Sequence, residues 1–489
     1  MIPQHNSTPP ASILKPAGKV RQVLISIGEE AFELGVSLLT MIMVERTYGQ
    51  QGLGIYAYLT ACLYTVRYAA DFGVARYTER QTARMAEPGS QQRLIHQSTQ
   101  ATLITGMVGA AVLLATAGFD TSHTRVQERF FAYVIMALIL PAANLNRLKL
   151  SILHGRGAHQ QVANVRMQRH GLILVGTFLL CGAGVAPSYL LIAVLIADGF
   201  TAVQLRRYLI LPPIRDLLRQ MRRILVTLRQ SRVYLFADNA LDMLLNIDLF
   251  VLGLFVNAWD LGIYAEAAVL VRFFLIVPVG IKPILRRRYI QVTDPKGTQT
   301  MDYLVRRHAS ILFSLHAVLA LVVILNFPAV LDLFFETHGE TRQALNLFQV
   351  FLPGLIFFGP WTALEPVYEA FNRIQRLKRL TLFVSAVNLI LTFYLVPAAG
   401  VAGAAAATML TMLIYFLLFG RRLGMKHQVD KFTYLAAGMG LYLIYAALSW
   451  LSWPGAVTIL LGPLLAVLLF YACGVFQPVS ISIERRHPS

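Results

Sequence analysis

Apolar residues in this chain fall in blocks of about 20, separated by short polar or basic stretches, and a helix of that length spans roughly 30 Å of hydrocarbon. Blocks can be marked near residues 22–44, 54–77, 95–118, 130–150, 167–186, 188–205, 233–256, 262–285, 309–335, 345–370, 380–397, 401–420, 432–452 and 455–476. The fifth and sixth meet at a tight turn around Ala186-Pro187, and the eleventh and twelfth at Pro397-Ala398-Ala399-Gly400. The first 21 residues are polar and Pro-rich, and no small-residue cleavage site follows the first block. That block is therefore expected to be a retained span rather than a removed signal peptide. The pattern predicts an all-α integral membrane protein with about 14 transmembrane helices.

The order of the blocks contains an echo. LGIYA occurs at 53–57, opening the second block, and again at 261–265, opening the eighth, a shift of 208 residues. Gly184-Val185-Ala186 and Gly400-Val401-Ala402 close equivalent turns at a shift of 216, and each precedes an apolar helix ending in Arg-Arg, at 206–207 and 421–422. Two matches at nearly one offset point to two six-helix repeats. An even number of spans returns the chain to its starting side, so the repeats are parallel and related by an axis along the membrane normal. The expected organisation is a cytoplasmic tail at 1–21, an N-lobe at 22–230, a C-lobe at 231–425, and a further helix pair with a cytoplasmic tail at 426–489. The two lobes would enclose a central cavity.

Composition agrees: 56% of the 489 residues are hydrophobic and 14% charged, too few charges to coat a soluble protein of this length. The net charge of +18 could indicate a nucleic-acid partner, so the placement of the basic residues decides. They gather in the loops after even-numbered blocks, as in the arginine-rich stretch from Arg206 to Arg232 and in Arg286, Arg287 and Arg288. The opposite loops hold only Arg46, Arg125, Arg129 and Arg342. This is the positive-inside pattern, which places both termini in the cytoplasm, with some affinity for anionic membrane lipids and none expected for nucleic acid. Arg166 is read here as a loop residue. Cys62, Cys181 and Cys473 lie far apart within blocks and read as small packing residues.

Ionisable residues inside a span cost roughly 2.5–3.5 kcal/mol at the helix centre, so each asks for a partner or a watery cavity. The first block carries Glu29, Glu30 and Glu33, the second Arg67 and Asp71, the seventh Asp238, Asp242 and Asp248, the eighth Glu266 and Arg272, and the tenth Glu365 and Glu369. Arg67 and Asp71, four residues apart, could simply pair on their own helix. The set as a whole concentrates in the first two helices of each repeat, where it would line a hydrated lumen. Arg67 and Arg272, from equivalent helices, favour an anionic substrate such as a diphosphate, because guanidinium binds phosphate as a bidentate fork. The carboxylates Glu29, Glu33, Asp71, Asp238, Asp242, Asp248, Glu266 and Glu365 could line that lumen or bind Na+ or H+ and couple transport to a gradient. No metal site and no bound cofactor is expected. GxxxxGK[ST], HExxH, CxxC and GxSxG are all absent, and the outside loops are too short for a catalytic domain, so no enzyme is expected.

The segment LGIYAYLTACLYTVRYAADFGVARYTER resembles the second helix of polysaccharide flippases in the multidrug/oligosaccharidyl-lipid/polysaccharide (MOP) exporter superfamily. NIDLFVLGLFVNAWDLGIYAEAAVLVRFFLIVPVGIKPIL resembles their helices 7 and 8, and FNRIQRLKRLTLFVSAVNLILTFYLVPAAGVAGAAAATML their helices 11 and 12. The resemblance implies an O-antigen or exopolysaccharide translocase of the bacterial cytoplasmic (inner) membrane. Such a protein moves undecaprenyl-diphosphate-linked oligosaccharide outward by alternating access, beside a polymerase or glycosyltransferase machinery. In the related lipid II flippases, cations in helices 2 and 8 engage the diphosphate, and Arg67 and Arg272 match them by position. Those flippases carry arginines in helix 1, where this chain has Glu29, Glu30 and Glu33, which argues against lipid II itself. The last two blocks would resemble a helix pair that guides a lipid tail. Two other readings stand beside this one: an ion-coupled drug or cation antiporter of the same superfamily, and a non-transporting membrane subunit of a polysaccharide-synthesis complex.

Overall fold

The computed structural model describes residues 16–85, 87–118, 126–206, 221–235, 240–274, 298–334, 338–371 and 373–419, with short stretches at 276, 280–282, 285–286, 288–289, 437–438 and 440. Among these residues no strand occurs. The first half of the chain forms α1 (Pro16–Asp71), α2 (Val74–Arg84), α3 (Pro88–Thr116), α4 (Val126–Gly155), α5 (His159–Gly182), a 3-10 turn at Pro187–Leu190 and α6 (Leu191–Gln204). A connecting helix α7 (Met221–Ser231) leads to α8 (Ala240–Phe255), α9 (Ala258–Phe273), α10 (Thr298–Phe334), α11 (His338–Ala370) and α12 (Ile374–Phe419). The last two expected spans and most of the expected N-terminal tail lie outside the described residues.

Two of these helices are really pairs. α1 runs 56 residues but breaks at Gly49, whose φ of 67° lies in the left-handed region that glycine enters without a Cβ penalty. α12 breaks likewise at Gly400, φ 55°, just past Pro397. Its two arms, of about 39 Å and 28 Å at 1.5 Å per residue, are each about long enough to cross a bilayer. The break is sharp: a Cβ on Gly403 would collide with the carbonyl of Leu395, eight residues earlier, which a straight helix would hold about 12 Å away. The tight turn expected at Pro397–Gly400 is this break.

Among the described residues, five helical segments are long and apolar enough to cross a membrane: Pro88–Thr116, Gln127–Gly155, Pro187–Gln204, Gln343–Ala370 and Ile374–Leu418. α1 has the length but carries Glu29, Glu30, Glu33, Glu45, Arg67 and Asp71. Large apolar side chains point outward from several helices, among them Phe178, Leu179, Ile196, Ile390 and Tyr394, each at least 60% exposed. Such a surface is unfavourable in water and suited to lipid, so the chain is a multi-pass membrane protein. Inside, one apolar core runs through both halves, with Tyr264, Phe274, Phe313, Phe348, Phe351 and Phe416 fully buried in the second.

The halves meet where α1, past Gly49, lies along α8 and α9. Here the two LGIYA copies lie against one another. A Cβ on Gly54 would collide with the carbonyl of Ala258, and a Cβ on Gly262 with the carbonyl of Gln50. Ala258 stands four residues before Gly262, and Gln50 four before Gly54, so the contact is reciprocal, as across a twofold axis. Only glycine lets two helix backbones approach this closely.

Candidate functional site

Three polar clusters interrupt the apolar interior. The first lies in the first half of the chain. Asp198, fully buried on α6, accepts from Arg169 of α5 in a two-pronged pair, Nε to Oδ1 at 2.8 Å and Nη2 to Oδ2 at 3.0 Å. Asn146 of α4 donates its Nδ2 to the Asp198 carbonyl at 2.8 Å and to Oδ1 at 3.4 Å. Arg67 of α1 lies within electrostatic reach of Asp198, Arg169 and Arg147. Two tyrosines on α1 complete the cluster: Arg67 sits over Tyr64 at 5.7 Å and Arg147 of α4 over Tyr68 at 5.5 Å. Arg67 Nε is buried with no hydrogen-bond partner.

Beside this cluster, α1 is fastened to α5. Arg166 donates from Nη1 to Glu29 Oε1 at 2.9 Å and lies 3.8 Å from Glu30, and His170 Nε2 lies 3.3 Å from Glu33 Oε1. Arg166, expected in a loop, is therefore a helical residue, because α5 begins at His159, before its apolar block.

The second cluster surrounds Asp248, fully buried on α8. Tyr264 of α9 donates to its Oδ2 at 3.2 Å, Thr392 of α12 to Oδ1 at 3.3 Å, and Thr408, on the far arm of α12, also donates to Oδ2. The break at Gly400 brings Thr392 and Thr408 together on this carboxylate. Arg272 belongs to this side of the molecule and not to the Arg67 cluster: its Nη2 donates to Asn246 Oδ1 on α8 at 3.2 Å.

The third cluster joins the halves at the end remote from Gly49, here called the basic end. Within the second half, Lys282 Nζ pairs with Glu365 Oε2 at 2.7 Å and Arg286 Nε with Glu369 Oε2 at 2.9 Å. From the first half, Arg76 of α2 reaches the same Glu369 oxygen at 3.5 Å while holding Glu79 at 2.8 Å. Arg76 and Glu369 are 12% and 5% exposed, so this is an enclosed contact, not a surface pair.

Of the residues singled out from the sequence, Glu29, Glu33, Glu365 and Asp248 thus have defined partners, and Arg67 and Arg272 occupy separate clusters. Asp71 is buried with its Oδ1 lacking a hydrogen-bond partner, and Glu266 is buried on α9. Asp238 and the side chain of Asp242 lie outside the described residues. Sequence reasoning missed Arg147, Arg169 and Asp198. Asp198 had a signal: it is the lone acid in LLIAVLIADGFTAV, a position that demands a partner. Among the described residues, no three His, Cys, Asp or Glu side chains converge as a metal centre would require.

The kinked, all-helical arrangement of the described residues is similar to that of several solved membrane transporters. Over 92% of its length the chain is similar to the lipid II flippase MurJ in an inward closed conformation, at 15% identity and a TM-score of 0.72, covering 99% of that chain. It is also similar to an inward-facing multidrug resistance MATE family transporter, at 13% identity and a TM-score of 0.63 over 82% of this chain and 98% of that one. A third similar structure is a MOP superfamily transporter from Pyrococcus furiosus described as having a binding pocket of reversed polarity, at 14% identity and a TM-score of 0.54 over 83% of this chain and 95% of that one. No protein-family model and no curated protein sequence matches the chain. The likeness defines the fold.

Proposed function

We propose that the protein is a flippase that moves undecaprenyl-diphosphate-linked oligosaccharide from the cytoplasmic to the outer leaflet for surface or exopolysaccharide synthesis. In this reading two six-helix lobes rock against each other, the basic end faces the cytoplasm, and the Gly49 end faces outward. The observation that carries it is the Arg67 cluster. Asp198 engages Arg169 with both oxygens, while Arg67 and Arg147 lie against tyrosine rings, an arrangement able to receive a doubly anionic diphosphate. The substrate pair is then Arg67 with Arg147 rather than Arg67 with Arg272. Glu29 and Glu33 serve as anchors of α1. Asp248, with hydroxyls of Tyr264, Thr392 and Thr408, offers an all-oxygen donor set that suits a proton or Na+, and binding there would act on the kinked α12.

Vesicles carrying fluorescent undecaprenyl-diphosphate oligosaccharide test this, with flipping read by access of a membrane-impermeant glycosidase. A charge-assisted hydrogen bond contributes about 1.5–3 kcal/mol, so Arg67→Ala and Arg147→Ala are each expected to weaken substrate binding about 10- to 100-fold. Glycan flipping at the wild-type rate in both variants would remove the cluster from the mechanism. The similar MATE fold and the buried Asp248 also fit an ion-coupled cation antiporter. Asp248-dependent efflux of a cationic dye, without glycan movement, would select that reading.

A further inference from the structure

α7, between the halves, is buried on one side only. Ile224, Thr227 and Ser231 pack against α2 and α3. The opposite side carries Met221, Leu225 and Val226, which are 39%, 59% and 49% exposed. Interleaved with them stand Arg222, Arg223 and Arg229, also exposed. At about 100° per residue, Leu225, Arg229, Arg222 and Val226 follow one another across a single face. The sequence MRRILVTLRQS contains no acid, so α7 has no carboxylate of its own to pair with these arginines.

This face matches one chemistry. Arginines would hold a soluble acidic partner without help from aliphatic neighbours, and a dry protein contact would not place three guanidiniums among the aliphatics. A bilayer surface uses both: phosphate headgroups for the arginines, and the headgroup–acyl boundary for Leu225 and Val226. α7 is also tied to α2. Ser231 Oγ donates to the Phe72 carbonyl at 3.1 Å, Tyr77 donates to Gln230 Oε1 at 2.5 Å, and Arg80 lies over the Tyr234 ring at 5.9 Å. α2 in turn carries Arg76, which reaches Glu369 across the halves.

We propose that the outer face of α7 is a docking surface for anionic phospholipid headgroups, so that the charge of the adjacent leaflet helps hold α2 and the Arg76–Glu369 contact. The inference rests on the orientation given above only in calling that leaflet cytoplasmic. It does not depend on the transported substrate.

The test uses the full chain with Leu225→Cys, labelled with an environment-sensitive fluorophore, in vesicles free of any glycan lipid. One set is phosphatidylcholine alone, and the other contains one quarter phosphatidylglycerol. The expected result is a blue shift and an emission increase of about twofold or more only with phosphatidylglycerol, reversed near 1 M NaCl. The lipid dependence should vanish in Arg222→Gln/Arg223→Gln/Arg229→Gln. Equal emission in both vesicle types would overturn the proposal, as would the same blue shift in detergent without phospholipid. Reversal by low concentrations of inorganic pyrophosphate would identify a free-phosphate site and would also overturn it. Since no glycan lipid is present, a failed flipping assay and a failed lipid response are separate results.

Discussion

At the Gly49 end the halves touch through their backbones, with Gly54 beneath the carbonyl of Ala258 and Gly262 beneath that of Gln50. At the basic end they touch through charge, with Arg76 and Arg286 sharing one oxygen of Glu369 at 3.5 Å and 2.9 Å. The first contact is fixed by shape: one added methyl has nowhere to go, and salt has nothing to screen. The second is fixed by electrostatics, and its strength depends on which cations reach Glu369. In the proposed rocking motion one end opens as the other closes, and contacts of different physical kinds allow each end to be disturbed alone.

The largest expected effect avoids both ends and serves as their control. Asp198→Asn leaves Arg169 as an uncompensated buried charge, a loss of about 3–5 kcal/mol. It should lower the Tm in detergent while leaving both inter-half contacts intact in whatever fraction stays folded. An unchanged Tm would mean that Arg169 finds another anion.

Next comes Gly54→Val, which forces a branched side chain against the Ala258 carbonyl. Overpacking of this kind costs about 1–3 kcal/mol, which opens the Gly49 end about 5- to 150-fold more often. Labelling of Ala258→Cys by a membrane-impermeant maleimide should accelerate accordingly, and an unchanged rate would show that the glycine contact does not hold the halves together.

Arg76→Glu sets like charges at the basic end, with an expected cost of about 1 kcal/mol and hydrogen exchange across Val74–Arg84 about fivefold faster. Arg76→Lys should retain most of the protection, since Lys keeps the charge but not the fork. Equal exchange in both variants would mean that charge is not what closes this end.

The smallest effect needs no mutation. Raising salt toward 1 M shortens the Debye length to about 3 Å. Exchange should rise about twofold or less across α2 and stay constant at Gly54 and Gly262. A matching response at both ends would erase the distinction between them.

How far these contacts could be read beforehand follows from their range along the chain. Local features were legible: the apolar blocks that fall among the described residues are helices, and the turn expected at Pro397–Gly400 is the break in α12; the repeated LGIYA was read as a sign of duplication, and its two copies lie against one another. Arg67 and Asp248 stood out because a charge inside an apolar block is costly wherever the fold places it. Arg166 did not, because α5 extends eight residues before its apolar block and its first turns look like loop. Arg147 and Arg169 lie inside their blocks but within three residues of an end, where a long cationic side chain can reach the interface and does not by itself demand a partner. The Arg76–Glu369 pair joins residues 293 apart, and nothing in the local spacing around either one announces it. Arg67 and Arg272 looked equivalent by position, yet their surroundings differ: cations and tyrosines for one, Asn246 for the other.

The central claim is that guanidiniums gathered in the first half of this chain carry a diphosphate-linked glycan across the bilayer. The most direct measurement is glycosidase-detected flipping in vesicles by the wild type, Arg67→Ala and Arg147→Ala, with folding verified by Tm. The account predicts protein-dependent flipping in the wild type and a loss of about tenfold or more in each variant. No flipping by wild-type protein, or wild-type rates in both well-folded variants, would contradict it.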